Sequence, residues 1–462
     1  MHKVILNDKI IYAKDEELLS DVLKREGILH EHPCGGKGNC KKCSLNVNGK
    51  AELSCQYKIT SDILITLPKS NNVQEALKTS PHNNAYALAL DLGTTMLALA
   101  LISSDGNVIA IKTAQNPQRA FGADVISLIE YCATKSYIPP HEAIINKLNS
   151  MVKELMVDSP LPLFVAGNTV MLHLLLGEDP SSIGVAPYTP KFLDERNIDS
   201  LKIGLLNISS VHTLPCISSF VGADIVAGLS TLKAPKKGKY NILIDLGTNA
   251  EIALFSNERI TCTSAAAGPA FEGANISSGM SALDGALYSF YLDEYGNKSL
   301  QTVADKECIG ICGTGLIDVV ANLIRNELID STGYLDNGAF NITDKISITQ
   351  DDVRSLMLAK SAICSALTTL MKIESVTPDM IDSLFISGGF STKINVQNAV
   401  CIGLIPSVLA NKCVPIGNSS LSGAVNYAVH RPDLIELTKK ARYVDLAGND
   451  EFSSLFIKNL SF

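Results

Sequence analysis

Two segments of the 462-residue chain repeat the same order of features. Each has an apolar run, then Asp-Leu-Gly-Thr, then a second apolar run, and the two copies are centred on Asp91 and Asp245. A glycine turn between two apolar runs favours a β-hairpin, and exposed amides and hydroxyls in such a turn can bind phosphate. An ordinary hairpin needs the glycine but not the hydroxyl residues. The repetition therefore predicts a pair of phosphate-binding hairpins.

The residues of these turns have separate expected roles. A carboxylate at the end of a strand can hold Mg²⁺ directly or through water, so we assign Asp91 and Asp245 to Mg²⁺ and water positioning. Glu251 and Glu272 are weaker candidates for orienting water, with a purely structural role as the alternative. The expected phosphate contacts are Gly93, Thr94, Thr95, Gly247, Thr248 and Asn249.

A third element is the apolar strand that begins at Leu384 and ends in Gly388-Gly389. Together with the two turns it resembles the phosphate-1, phosphate-2 and adenosine motifs of the acetate kinase, sugar kinase, Hsp70 and actin superfamily. This resemblance implies two α/β lobes with duplicated mixed sheets and ATP in the cleft between them. Gly388 and Gly389 would then lie against the adenosine. The segment around Asn168 resembles the first connection between lobes, where Asn168 either caps the following helix or lines the cleft.

Four cysteines near the N-terminus define a second kind of site. Cys34, Cys40, Cys43 and Cys55 follow a C-x5-C-x2-C pattern plus one distant cysteine, in a loop that also holds Gly35, Gly36 and Gly38. This spacing suits a [2Fe–2S] cluster, although the first gap is one residue longer than in plant-type ferredoxins. The alternatives are structural zinc, which usually has two C-x2-C pairs, and disulfides, which the absence of a secretory signal disfavours.

The sequence around the cysteines resembles a β-grasp ferredoxin. A hairpin pattern is followed by a helical pattern for which Asp15 is the expected N-cap, and then by further short strands. We therefore expect a ferredoxin-like domain at 1–67 and a polar linker at 68–85. The ATPase lobes are expected at 86–234 and 235–440, followed by a C-terminal tail at 441–462.

Composition limits the classes of function. Charged residues are 19% and hydrophobic residues 46%, which is ordinary for a globular protein. The net charge of −8 argues against nucleic acid as the main partner. No apolar stretch reaches about 18 residues, so we expect no membrane span and a cytoplasmic location.

A cluster domain joined to such an ATPase resembles the reductive activators of corrinoid proteins. Further stretches that carry this resemblance are 116–125, 266–275 and 312–318. It implies an enzyme that uses ATP and Mg²⁺ to drive one-electron reduction of Co(II) to Co(I) through the [2Fe–2S] cluster, in methyl-transfer metabolism. The implied partners are a corrinoid protein and an upstream low-potential electron donor, and homodimerisation is also implied. Long members of this family have an additional domain where this chain has only the polar linker.

Two other functions remain open from the residues alone. A metabolite kinase with a structural iron–sulfur cluster would phosphorylate a small molecule and would turn over ATP without a protein partner. A non-catalytic redox sensor would bind nucleotide without hydrolysing it.

Overall fold

The computed structural model describes the chain except residues 7–8, 27, 29–35, 37, 39–42, 67–83, 123 and 390, and the side chain of Lys9. The predicted linker at 68–85 therefore lies almost wholly outside the described residues. The described chain forms a small N-terminal unit and two larger lobes, each with its own sheet.

The N-terminal unit is a five-stranded sheet, in the order β2-β1-β7-β4-β5, packed against one helix. The sheet is antiparallel except that β1 runs parallel to β7. Helix α1 begins at Leu19 with Leu18 at its N-cap, so the prediction of Asp15 as N-cap was wrong. Asp15 instead contacts the ring of His2 at 2.7 Å. The elements are β1 (His2–Leu6), β2 (Lys9–Ala13), β3 (Glu17–Leu18), α1 (Leu19–Arg25), β4 (Ser44–Val47), β5 (Lys50–Leu53), β6 (Lys58–Ile59) and β7 (Ile63–Thr66).

The first lobe has a six-stranded sheet in the order β10-β9-β8-β11-β13-β12. Its elements are β8 (Ala85–Leu92), β9 (Met96–Ser103), β10 (Val108–Gln115), α2 (Val125–Thr134), α3 (Ile138–Glu154), β11 (Leu161–Gly167), α4 (Thr169–Leu175), β12 (Arg196–Asp199), β13 (Ile208–Thr213) and α5 (Ala223–Thr231).

The second lobe has a six-stranded sheet in the order β23-β22-β14-β15-β16-β24. Its elements are β14 (Tyr240–Leu246), β15 (Ala250–Phe255), β16 (Ile260–Ala265), β17 (Ala286–Leu292), β18 (Lys298–Thr302), β19 (Gly310–Ile311), α6 (Gly313–Arg325), β20 (Ala339–Asn341), β21 (Ser347–Thr349), α7 (Gln350–Ile373), β22 (Ile381–Ser387), α8 (Val396–Cys401), β23 (Cys413–Gly417), α9 (Ser419–His430), α10 (Leu434–Lys439), β24 (Ala441–Tyr443) and α11 (Asp450–Lys458).

The two large sheets are topological copies of each other. In the first lobe β8, β9 and β10 form an antiparallel meander, and β11 and β13 continue from β8 as parallel strands. In the second lobe β14, β15 and β16 form the same meander, and β22 and β23 continue from β14 in parallel. The sixth strands differ in position, because β12 lies antiparallel beside β13 in the first lobe whereas β24 lies parallel beside β16, at the opposite edge of the sheet, in the second. The sequence repeat around Asp91 and Asp245 thus marks a duplicated lobe.

Two helices cross where the lobes meet, and each packs against the sheet of the opposite lobe. Helix α5 follows the first sheet but buries Ile225 and Leu229 against the second sheet, whereas α9 follows the second sheet and buries Ala424 against the first. The helices are in close contact at Gly423. A Cβ added there would lie only 2.1 Å from the Ala227 carbonyl oxygen. A side chain at this position would force the helices apart.

Helix α7 is the one described helix whose length and composition would allow it to cross a membrane. Its most apolar part is 72% buried inside the protein, and its apolar residues belong to the core of the second lobe. We therefore interpret α7 as a core helix.

We predict that Gly423→Val lowers the free energy of unfolding by about 1–3 kcal/mol or more, because overpacking at the helix crossing displaces backbone. Thermal and denaturant unfolding would measure this loss. The matched control is Ser422→Val, which adds the same β-branched residue on the exposed side of the same helix. Equal losses in the two variants would show that helix propensity, and not the crossing, causes the effect.

Candidate functional site

A cavity of about 420 Å³ lies between the two lobes. It is lined by the two Asp-Leu-Gly-Thr turns, by the end of β22 and by the first residues of α5 and α9. The structure brings together in its wall all ten candidate residues of the predicted nucleotide site, namely Asp91, Gly93, Thr94, Thr95, Asp245, Gly247, Thr248, Asn249, Gly388 and Gly389.

Asp91 lies near the end of β8 and is held by the start of α9. Its carboxylate accepts hydrogen bonds from the Asn418 side-chain amide at 2.7 Å and from the Ser420 hydroxyl at 2.8 Å. Asn418 is also the N-cap of α9, since its side-chain oxygen accepts from the Leu421 amide. Burial nevertheless raises the pKa of Asp91 above its ordinary value. Sequence reasoning missed Asn418 and Ser420, which lie more than 320 residues away from Asp91 in the chain.

Asp245 lies in the corresponding strand of the second lobe, but in a more acidic environment. Burial, followed by the charges of Asp224 and Asp91, raises the pKa of Asp245 to about 8. Glu251 stands directly opposite Asp245 in the β14–β15 pair, where the first hairpin has Ala98 opposite Asp91. Burial, followed by the charges of Asp224 and Asp245, raises the pKa of Glu251 well above its ordinary value. The duplicated hairpins are therefore chemically unequal.

Asp224 is a cavity residue that the sequence reasoning did not single out. It lies in the first turn of α5, and burial, with the charge of Asp91, raises its pKa to about 6. The signal in the sequence was a repeated Gly-Ala-Asp, at 122–124 and 222–224. The first copy has a different role, because Asp124 is the N-cap of α2.

Two further residues named from the sequence, Asn168 and Glu272, form hydrogen bonds with threonines of the turns. Asn168 fulfils both expected roles, since it is the N-cap of α4 and its amide donates to the Thr94 hydroxyl at 3.0 Å. Glu272 accepts a hydrogen bond from the Thr95 hydroxyl at 2.7 Å and another from the Thr248 hydroxyl.

Within the described part of the chain, no three carboxylates, imidazoles or thiols are grouped closely enough to hold a metal ion. A bound Mg²⁺ would therefore need phosphate or water ligands in addition.

Gly388 and Gly389 directly follow β22 and line the cavity. Gly388 has φ +119°, and an added Cβ would lie 2.4 Å from the Leu246 carbonyl oxygen, so a side chain cannot be accommodated. Gly389 has open space around its Cα and lines both the main cavity and an adjoining cavity of about 280 Å³. The adjoining cavity is lined by Tyr288 and Lys393, with the ammonium of Lys393 5.3 Å from the ring centre. An aromatic ring and a cation beside a bare glycine can receive a heterocyclic base.

The structure describes two of the four candidate cluster ligands. Cys43 and Cys55 are buried, and their sulfur atoms lie 3.2 Å apart, close enough to share one iron. Gly36 has φ +84° and lies near Cys55. The carbonyl of Gly36 accepts a hydrogen bond from the Gln56 side-chain amide at 2.6 Å. Cys34 and Cys40 lie outside the described residues. The two described thiols fit a thiolate-bound cluster.

The N-terminal unit contacts the first lobe through Lys24. The ammonium of Lys24 lies 5.7 Å from the Phe121 ring centre and 5.6 Å from that of Tyr131, within cation–π range. Phe121 ends a short 3₁₀ helix that follows Asn116. The Asn116 side chain donates to the carbonyl of Gly93 at 2.8 Å. A six-residue segment, 116–121, therefore joins the first phosphate turn to the surface that meets the N-terminal unit.

Comparison with known proteins identifies the family. The RACo middle region matches residues 86–237, and the C-terminal domain of RACo, the ASKHA domain, matches residues 239–462. The chain therefore belongs to the RACo family, and the expectation of an actin-like ATPase fold is confirmed.

Named relatives agree with this placement. The chain is 26% identical to the corrinoid activation enzyme RamQ of Eubacterium limosum, over 99% of this chain and 98% of the relative. It is 28% identical to the [Co(II) methylated amine-specific corrinoid protein] reductase of Methanosarcina barkeri, over 82% of this chain and 77% of the relative. A solved structure described as a reductive activator for a corrinoid, iron–sulfur protein superposes over 100% of this chain and 98% of its own, with a TM-score of 0.78 and 25% identity. The resemblance to reductive activators of corrinoid proteins is confirmed.

We predict that Asp245→Asn stabilises the metal-free protein, and that the gain grows as the pH rises from about 4 to about 8. The folded protein raises the pKa of Asp245 to about 8, so wild-type stability is present at low pH and is lost as the pH rises through this range. Melting temperatures in EDTA at a series of pH values would measure the difference. Added Mg²⁺ and ATP should stabilise the wild type more than the variant. A constant difference at every pH would contradict the assignment.

Proposed function

We propose that the protein binds and hydrolyses ATP in the interlobe cleft and uses it to drive reduction of a corrinoid protein from Co(II) to Co(I). The proposal rests mainly on the proteins named as corrinoid activators, because their similarity to this chain extends over nearly its whole length. In the cleft, the paired turns supply hydroxyls and amides for phosphates, and the buried carboxylates supply charge for Mg²⁺. We assign Cys34, Cys40, Cys43 and Cys55 to a [2Fe–2S] cluster in a ferredoxin-like N-terminal domain.

The bound cluster would supply a one-electron carrier between a low-potential donor and the corrinoid. Plant-type clusters have potentials near about −400 mV, and each 59 mV of uphill transfer is about a tenfold unfavourable equilibrium, or roughly 1.4 kcal/mol. A conformational change driven by nucleotide binding is able to offset a gap of this kind. The contact of Lys24 with Phe121 supports such coupling, because the same segment holds the phosphate turn at Gly93.

Within the cleft, we assign separate tasks to the acidic groups. Asp91, already fixed by Asn418 and Ser420, would hold water molecules of Mg²⁺ in a defined orientation. Asp245 would stay protonated near neutral pH until Mg²⁺ binds, because its pKa is raised to about 8. Asp224 would orient the attacking water and accept its proton, since its pKa near 6 leaves it ionised at neutral pH and still basic.

We further assign the protein to the cytoplasm and expect it to act as a homodimer with a separate electron donor. Gel filtration under anaerobic conditions tests the dimer independently of the activity.

The decisive experiment uses protein purified without oxygen, together with an electron donor, ATP and a corrinoid protein. Reduction is followed by the visible absorption of Co(I). The proposal requires Co(I) to form with ATP and not without it. Failure with every candidate corrinoid protein would contradict it, and phosphorylation of a small molecule without any protein partner would favour the metabolite kinase instead.

We predict that Cys55→Ser removes or weakens the visible absorption of the cluster and abolishes cobalt reduction, while ATP turnover continues. Absorption spectra, iron content and phosphate release measure the three effects. Cys413→Ser, at a partly buried cysteine of the second lobe, is the control and should change none of them. Colourless wild-type protein with stoichiometric zinc would contradict the electron-transfer role.

We predict that Asp224→Asn slows ATP hydrolysis by about 100-fold or more with little change in nucleotide affinity, as expected when a proton acceptor is lost. Phosphate release and calorimetric binding measure the two effects. The control is Asp124→Ala, in the other Gly-Ala-Asp sequence, which loses the N-cap of α2 but no cavity residue. An equal decrease in both variants would assign the effect to helix stability.

A further inference from the structure

One carboxylate ties together the tips of the two phosphate turns. A single oxygen of Glu272, Oε2, accepts hydrogen bonds from the Thr95 hydroxyl at 2.7 Å and from the Thr248 hydroxyl. The two hydroxyl oxygens are only 3.5 Å apart. Thr95 belongs to the first lobe, whereas Thr248 and Glu272 belong to the second, so the contact bridges the cleft.

Glu272 ends a four-residue 3₁₀ helix, Pro269–Glu272, that lies between two glycines. Gly268 and Gly273 have φ of +75° and +78°, a backbone conformation that glycine adopts at little steric cost. Burial raises the pKa of Glu272, whereas the two threonine hydrogen bonds and the charge of Arg119 of the first lobe oppose this shift. Two groups of the first lobe, Thr95 and Arg119, thus favour the ionised carboxylate at this position, together with Thr248 of the second lobe.

The same hydroxyls are the expected ligands of a phosphate chain. A carboxylate oxygen and a phosphate oxygen are both anionic acceptors, and two anions in one desolvated place repel each other strongly. Gly247, Thr248, Gly388 and Gly389 line the cavity from the second lobe, and Thr95 lines it from the first. We take the phosphates nearest the nucleoside to lie on the second lobe, so that only the terminal phosphate would enter between Thr248 and Thr95.

We propose that Glu272 is an interlobe clasp that holds the two phosphate turns together without ATP and is displaced by the terminal phosphate of ATP. The clasp rests on the proposed function only in taking ATP as the ligand of the cleft. Its displacement would exchange a carboxylate for a phosphate between Thr95 and Thr248. The cleft would thereby distinguish ATP from ADP, which a cycle driven by hydrolysis requires.

The test is the affinity of Glu272→Gln for a non-hydrolysable ATP analogue and for ADP, each with Mg²⁺. The amide keeps the size of the side chain but removes the competing charge. We expect the analogue to bind about tenfold more tightly and ADP to change by less than about twofold. Glu258→Gln removes an exposed negative charge from the same lobe and should change neither affinity.

A second measurement uses no nucleotide. Hydrogen–deuterium exchange should become faster at the amides of both phosphate turns in Glu272→Gln, because the bridge between them is weakened. A residue that only orients water would lower hydrolysis without this change.

Three results would overturn the clasp: weaker binding of the analogue, equal tightening of analogue and ADP, or unchanged exchange in both turns. The first would indicate that Glu272 helps to hold Mg²⁺. Wild-type protein that bound neither nucleotide would contradict the proposed function itself, and the clasp with it. The two proposals therefore fail in distinguishable ways.

Discussion

Acidic side chains from both lobes meet in one buried cleft, and the remainder of the site is arranged around this concentration of negative charge. Asp91, Asp224, Asp245, Glu251 and Glu272 all line the same cavity. Burial disfavours the charged form of each carboxyl group, and the neighbouring carboxylates raise several of the pKa values further. Such an arrangement is unfavourable in the absence of a cation. It is stabilised when a metal ion and the donors around a phosphate chain supply the missing positive charge.

The duplication explains where this charge lies. Two copies of one hairpin, related by a common strand order, point their turns into the space between the lobes. The copies differ at the position opposite the aspartate, which is Ala98 in the first hairpin and Glu251 in the second. They also differ in support, because Asp91 is hydrogen-bonded by the start of α9 whereas Asp245 faces other acids. One hairpin therefore provides a hydrogen-bonded carboxylate, and the other provides a carboxyl group whose pKa is raised by its acidic neighbours.

The crossing helices link the two lobes. Because α5 and α9 each pack on the sheet of the opposite lobe, Asp224 and Asn418 are both carried by helices that contact the two lobes. The close contact at Gly423 leaves little freedom for the helices to separate. On the outer side, the segment from Asn116 to Phe121 connects the first phosphate turn with the surface that meets Lys24. The first Asp-Leu-Gly-Thr turn thus has a direct structural connection to the unit that carries Cys43 and Cys55.

Local sequence rules predicted the elements whose chemistry is contained in a few adjacent residues. The glycine turns, the strand ending in Gly388-Gly389 and the N-cap at Asn168 depend on short-range geometry, so the sequence indicated them correctly. The N-cap at Asp15 was wrong because β3 intervenes between Asp15 and the helix. Asp224 was missed because the same Gly-Ala-Asp occurs at a simple helix cap, and nothing local distinguishes the two copies.

By itself, the sequence determined that the chain has two related hairpins and a cysteine pattern suited to a cluster, since both are repeats or spacings that can be counted. Only the tertiary structure decided which acids share one cavity, because Asn418 and Ser420 approach Asp91 across more than 320 residues of chain. It also decided that Glu272 lies between Thr95 and Thr248. Proximity of this kind depends on how two lobes pack, and packing is the sum of many weak contacts that no short motif records.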